Sequence, residues 1–150
     1  MIEETKRSLH DALCVVRTLT AQPDIVCGAG ASDIACAIAV EDASNEYGDV
    51  EELSCRAFSK ALLAVPTALA DNAGHDGMQM VTKIMGQQRQ DKELYGLIGV
   101  GCNSGEPENM KMKVFDPYTS KRSQLVLATQ LVKMVLKIDD VIHHGEGVDQ

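Results

Sequence analysis

Residues 26–40, VCGAGASDIACAIAV, change backbone habit within a few positions. Ile25–Cys27 is a short apolar, β-branched piece, Gly28-Ala29-Gly30 is a turn, and a run dense in small residues follows: Ala31, Ala35, Cys36, Ala37, Ala39 and Ala43. Strand, glycine turn and helix in that order place exposed backbone N–H groups and the positive end of a helix dipole at one spot, an arrangement suited to phosphate. Two readings of the turn stay open. The motif is neither G-x-G-x-x-G nor a P-loop with lysine, so Gly28 has a simple chain-reversing role available to it. Asp33, in the first turn of the helix, is placed to satisfy the same N–H groups without any ligand. Small residues on several faces predict that this helix packs closely against its neighbours.

Outward from this stretch the pattern is mainly helical. Residues 2–20 form an amphipathic helix, with Ile2, Leu9, Ala12, Leu13, Val16 and Leu19 on one face. No capping residue precedes it, as a helix cut from a longer chain would lack one. Asp11 lies opposite the apolar stripe, with Arg7, Cys14 and Thr18. It is either a solvated surface charge or a carboxylate offered across an interface to a substrate held elsewhere. Residues 50–72 are helical, with Leu53, Phe58, Leu62, Val65 and Leu69 as expected core; Pro66 either kinks this helix or opens a second one. Asn72-Ala73-Gly74 is a stop signal. A further helix covers about 76–90, with Met78, Val81 and Met85 on one side.

Residues 91–120 hold four of the twelve glycines and two of the four prolines, and predict loop with short strands near 97–102 and 112–115. Asp116-Pro117 is turn chemistry in the first instance; a carboxylate accepting hydrogen bonds from a ribose diol, with Lys121 nearby, is the alternative. Thr119 or Ser120 is placed to cap a last helix over 121–136, whose Leu125, Leu127, Ala128, Leu131, Val132, Val135 and Leu136 form a wide apolar stripe. "KIDDVI" (137–142) is expected to be a short strand before a polar tail. The fold class is mainly α with a few short β-strands.

The chain has 150 residues, a formal charge of −8, 45% hydrophobic and 24% charged residues. That is one domain's worth of material, able to bury about two-thirds of its unfolded surface. The acidic balance offers no dense Lys/Arg face for a nucleic acid. No apolar run is long enough to span a membrane, and the N-terminus has no secretory pattern, so a cytoplasmic protein is expected. Cys14, Cys27, Cys36, Cys55 and Cys102 form no C-x-x-C pair, which fits a reducing compartment. His10, His75, His143 and His144 have no ligand spacing, and no metal site is assigned.

Taken in order, "IEETKRSLHDALCVVR", "VCGAGASDIACAIAV", "RAFSKALLAVPTALADNAG", "VFDPYTSKR" and "LATQLVKMVLKIDDVI" resemble the C-terminal portion of a group II chaperonin subunit, nearest the epsilon branch of the eukaryotic cytosolic chaperonin (TRiC/CCT). The resemblance covers about residues 2–142. It implies a multihelical fragment, with residues 1–22 the end of an intermediate domain and 23–150 the C-terminal half of an equatorial, ATP-binding domain. It implies that Asp11 is the catalytic carboxylate that orients or activates the attacking water. Gly28, Ala29 and Gly30 match a triple-glycine turn close to the nucleotide. Gly99-Val100-Gly101-Cys102 matches a segment lining the adenine, Asp116 the acidic residue on the ribose, and Lys121 follows at the family spacing. ATP and Mg²⁺ are the cofactors implied for the full-length protein, and other chaperonin subunits of a hetero-oligomeric double ring and unfolded polypeptides are its partners. "KIDDVI" matches a strand that joins a small sheet between neighbouring subunits. Ala29 stands in place of the middle glycine, Gly101 stands where an aspartate is usual, and a Gly-Asp-Gly-Thr-Thr phosphate loop is not among these residues. The piece alone is therefore expected neither to hydrolyse ATP nor to bind it tightly. A non-catalytic helical interaction module is the alternative reading.

Overall fold

The computed structural model describes residues 2–141; His143, His144 and the last residue of "KIDDVI" lie outside them. Five helices and four short strands follow in the order α1 (Ile2–Ala21), β1 (Ile25–Cys27), α2 (Ala31–Ser44), α3 (Asp49–Asn72), α4 (Gly77–Gln90), β2 (Ile98–Val100), β3 (Pro107–Asn109), β4 (Phe115–Pro117) and α5 (Tyr118–Val135), with a 3-10 turn at Lys92–Leu94. The strands make two separate antiparallel pairs, β1 with β4 and β2 with β3.

α2 is the centre. Ala31, Ile34, Ala37 and Ile38 are buried, and the alanines let α3 come close enough for the buried Ser59 hydroxyl to donate to the Ala37 carbonyl at 2.9 Å. The main core joins Ile34 and Ile38 of α2, Ala70 of α3, Met80 and Ile84 of α4, and Ile98 and Val100 of β2. Each fully buried isoleucine contributes about 1.5–3 kcal/mol. α4 starts on Asp76, whose carboxylate accepts from the Gln79 amide at 2.9 Å, a cap of about 1 kcal/mol. Its buried face is Met80, Val81, Ile84 and Gln88; Met78, read on the same side as Val81, is exposed, because the inward stripe is turned about one position from the one read in the sequence.

α3 runs through Pro66 as one helix, and the proline ring is fully buried. Its end matches the expected stop: Gly74 has φ +85° and the His75 amide donates to the Ala70 carbonyl. α5 begins at Tyr118 rather than near 121. Neither Thr119 nor Ser120 caps it, since β4 passes straight into the helix through Pro117, and the Tyr118 amide donates to Asp24 instead. The strand expected at 112–115 forms at 115–117, because Met112 adopts a left-handed φ of 72° that breaks extension. Residues 137–141 form no strand, as no neighbouring edge pairs with them.

The largest departure concerns what is inside. α1 and α5 contain no buried residue. Leu9, Leu13 and Val16 are exposed, as are Leu127, Leu131, Val132, Val135 and Leu136; on α3, Leu53, Phe58 and Val65 are exposed too. These stripes lack a covering layer among the described residues. Between α3 and α5 they line an apolar groove of about 590 Å³, with Leu62, Leu125 and Ala128 in its wall.

Candidate functional site

The turn after β1 is built by three approaches of backbone. Gly28 donates its amide to the Val114 carbonyl at 3.0 Å, and has no room for a side chain: a Cβ there would lie 2.8 Å from Val114 Cγ1 and 3.3 Å from Asp116 Oδ2. The Gly28 carbonyl accepts from Ala31, and the Ala29 carbonyl accepts from the Val100 amide at 2.9 Å. Ala29 and Gly30 are both left-handed, with φ 52° and 76°. For the alanine this costs about 1–2 kcal/mol. Its methyl packs with Cys27, Ala31 and Met110, so the side chain added at the middle of the turn points into a small apolar cluster.

With the turn's carbonyls engaged inward, α2 begins at Gly30 with no side-chain cap. Asp33 does not take the capping role open to it. Its carboxylate is buried and lies 3.1 Å from the Lys121 ammonium. Lys121 also lies 3.5 Å from Asp116 Oδ2. The register that pairs Val26 with Asp116 brings this carboxylate alongside the turn. Cys36, one helical turn beyond Asp33, has its thiol pushed up by burial and by the Asp33 charge, with the Lys121 ammonium opposing.

The β2–β3 hairpin closes a third side. Gly99 sits against the carbonyls of Ala29 and Gly28, where a Cβ would be 2.7 Å and 3.2 Å away. A side chain at Gly101 would collide with the Glu106 carbonyl and the Ser104 hydroxyl. The loop is folded in on itself at that point and leaves no room for a side chain. The exposed Cys102 is held through its carbonyl, which accepts from His75 Nε2 at 3.0 Å.

So Gly28, Ala29, Gly30, Asp116 and Lys121 are gathered together, with Gly99 against them and Cys102 at the hairpin's far end. Asp11 is not in the group. It lies on the exposed α1, 3.7 Å from His10 of the same helix. The sequence reading missed three participants: the Asp33 partnership with Lys121, the His75 tether, and Gln88. The buried Gln88 amide donates to the carbonyls of Ala31 and Ile98, tying the start of α2 to β2. Partners separated by 88 residues, as Asp33 and Lys121 are, leave no local pattern to find. What speaks for a nucleotide here is the N-terminus of α2, which carries no side-chain cap, beside Asp116, a carboxylate 40% exposed at its side chain; Gly28 and Gly30 are themselves buried. The described residues hold no group of three or more His, Cys, Asp or Glu side chains placed to ligate a metal. No helix among the described residues is long and apolar enough to cross a membrane.

Residues 1–146 match the TCP-1/cpn60 chaperonin family. T-complex protein 1 subunit epsilon of Encephalitozoon cuniculi (strain GB-M1) is 41% identical over 143 residues, covering 95% of this chain and 26% of that relative. T-complex protein 1 subunit delta of Takifugu rubripes is 37% identical over 144 residues, with the same coverage of 95% and 26%. Among solved structures, the open-state monomer of a group II chaperonin from Methanococcoides burtonii shares the fold with a TM-score of 0.76 at 26% identity, over 89% of this chain and 33% of that one. The chain thus spans about a quarter of the length of the curated relatives it matches. On the match of nearly its whole length, the chain belongs to the TCP-1/cpn60 chaperonin family.

Proposed function

We propose that these residues are one wall of the nucleotide pocket in a subunit of an ATP-dependent, cytoplasmic folding chaperone. On this reading residues 1–22 end an intermediate domain and residues 23–150 are the C-terminal half of an equatorial domain. The observation that carries it is the meeting of three distant stretches, 28–33, 99–100 and 114–121, through the Val100–Ala29 and Gly28–Val114 backbone bonds and the Lys121–Asp33 ion pair. Bound ATP supplies a hydrolysable γ-phosphate as the source of free energy. The open N-terminus of α2 faces the phosphates and Asp116 accepts from the ribose. Asp11 is carried on a helix with little attachment to the rest of the chain, suited to swinging over the nucleotide and orienting the attacking water.

The other subunits of a hetero-oligomeric ring and non-native polypeptides are the partners this reading assigns. In the native assembly, Asp11→Asn should lower hydrolysis by about 10²–10⁴-fold with nucleotide binding retained. Hydrolysis at the unmodified rate would contradict the assignment. The chain by itself should not bind ATP tightly, because no Gly-Asp-Gly-Thr-Thr loop is among its residues; calorimetry showing micromolar binding would overturn that expectation.

A second reading, a non-catalytic helical interaction module, draws on the exposed stripe of α5. It predicts that Asp11→Asn and Asp116→Asn leave every activity of the assembly unchanged.

A further inference from the structure

Resemblance alone places Lys121 among the residues that hold the nucleotide. Its surroundings argue for a different task. The side chain is only 15% exposed, and its ammonium stands between two carboxylates, 3.1 Å from Asp33 Oδ2 and 3.5 Å from Asp116 Oδ2. Asp33 is 7% exposed at its side chain, whereas Asp116 is 40% exposed. One partner is therefore an inner anchor and the other is open to solvent. The three groups come from different elements: Asp33 from the first turn of α2, Asp116 from β4, and Lys121 from the first turn of α5. Gly28 lies close beside Asp116, and a Cβ there would be 3.3 Å from Oδ2.

We propose that Lys121 is a positioning residue: anchored on Asp33, it holds the Asp116 carboxylate in the orientation in which that group accepts hydrogen bonds from the ribose of the nucleotide, and does not itself contact the nucleotide. This rests on the ribose role of Asp116 proposed above. An ammonium has three donors. One donates to Asp33 at 3.1 Å, the ammonium stands 3.5 Å from Asp116, and its 15% exposure restricts the approach of a phosphate. A carboxylate free to rotate pays side-chain entropy each time it engages a diol, whereas one already fixed does not. The same ammonium balances one of two negative charges brought close together, which a neutral side chain cannot do. Arginine keeps the cation, though with a planar geometry.

The test is equilibrium binding of ATP, 2′-deoxy-ATP and 3′-deoxy-ATP to the native assembly that carries these residues. The unmodified protein is compared with Lys121→Met, Lys121→Arg, Asp33→Asn and Asp116→Asn. A hydrogen bond from a ribose hydroxyl to a carboxylate is worth roughly tenfold in affinity or more, so the unmodified protein should prefer ATP over at least one deoxy analogue by about that factor. Lys121→Met should erase the preference as fully as Asp116→Asn, and Lys121→Arg should keep most of it. Asp33→Asn is nearly isosteric and serves should Lys121→Met fail to assemble; it should reduce the preference in part and weaken ATP binding. A direct phosphate ligand behaves otherwise: Lys121→Met would weaken all three nucleotides equally, and Asp33→Asn, releasing the ammonium, would tighten them. Either result overturns the proposal. Unchanged binding with a lowered melting temperature, the mark of a brace serving the fold alone, overturns it as well. No preference in the unmodified protein removes the ribose role of Asp116 itself, and the positioning role with it.

Discussion

Gly30→Ala probes the contact that sets the turn against the helix layer. Gly30 has φ 76°, and a Cβ built on it would lie 2.6 Å from Pro66 Cβ and 3.3 Å from Pro66 Cα. The left-handed backbone costs an alanine about 1–2 kcal/mol. Forcing a methyl into the buried proline adds about 1–3 kcal/mol, because the ring sits inside α3 and cannot rotate away as a flexible side chain would. Lower entropy of the unfolded chain returns about 0.5–1 kcal/mol. The net loss is about 3 kcal/mol, which for a chain this size lowers the melting temperature by roughly 6–12 °C. Ala29 separates the two contributions: it is left-handed too, at φ 52°, but its methyl is accommodated beside Cys27, Ala31 and Met110. Any loss beyond about 2 kcal/mol therefore belongs to the Pro66 collision. Urea unfolding followed by circular dichroism at low concentration measures it. A loss below about 1 kcal/mol would refute the reasoning, since it would mean that the turn does not rest on Pro66.

Gln88→Ala should cost about 3 kcal/mol by the same assay, because it leaves the buried Ala31 and Ile98 carbonyls without their donor and opens a cavity; a loss under about 1 kcal/mol would show that the link between α2 and β2 is dispensable. Leu131→Glu on α5 should change unfolding free energy by no more than about 0.5 kcal/mol, since Leu131 is 61% exposed, while reducing self-association seen by light scattering. A large destabilisation would place that stripe inside the chain's own core. The raised Cys36 thiol should react with iodoacetamide more slowly than the exposed Cys14 and Cys102 at about pH 8, and more slowly still in Lys121→Met, where the one influence lowering it is gone. Its folded value lies above the unfolded one, so its contribution to stability is present at lower pH and is lost as pH rises through the folded value. Equal rates at the three cysteines would contradict the burial of Cys36.

The helices were legible because their signals are local: apolar spacing for α3 and α4, a run of small residues for α2, Ala73-Gly74 for the end of α3, and the glycine turn for the strand-to-helix switch after β1. The family, too, was legible from the order of its blocks. Burial was not. The stripes of α1 and α5 look the same in sequence whether their cover comes from this chain or from elsewhere, and here no described residue covers them. At the site, the turn and Asp116 could be singled out from residue type. Their neighbours could not: Asp33 looked like a helix cap, yet the Lys121 ammonium, delivered by a helix that starts three residues earlier than expected, offers it a charge partner. β3 was missed because Pro107-Glu108-Asn109 has no strand-forming residue, and it forms only because β2 offers an edge.

The account turns on Gly28–Gly30, the β2 hairpin and Asp116 sharing one nucleotide. A structure of the native assembly with a bound, non-hydrolysable ATP analogue tests this most directly. The phosphates should lie over the N-terminus of α2 and a ribose hydroxyl within hydrogen-bond reach of Asp116, with the Lys121 ammonium still between Asp33 and Asp116. A nucleotide bound away from this turn, with Asp116 free of the sugar, would contradict it.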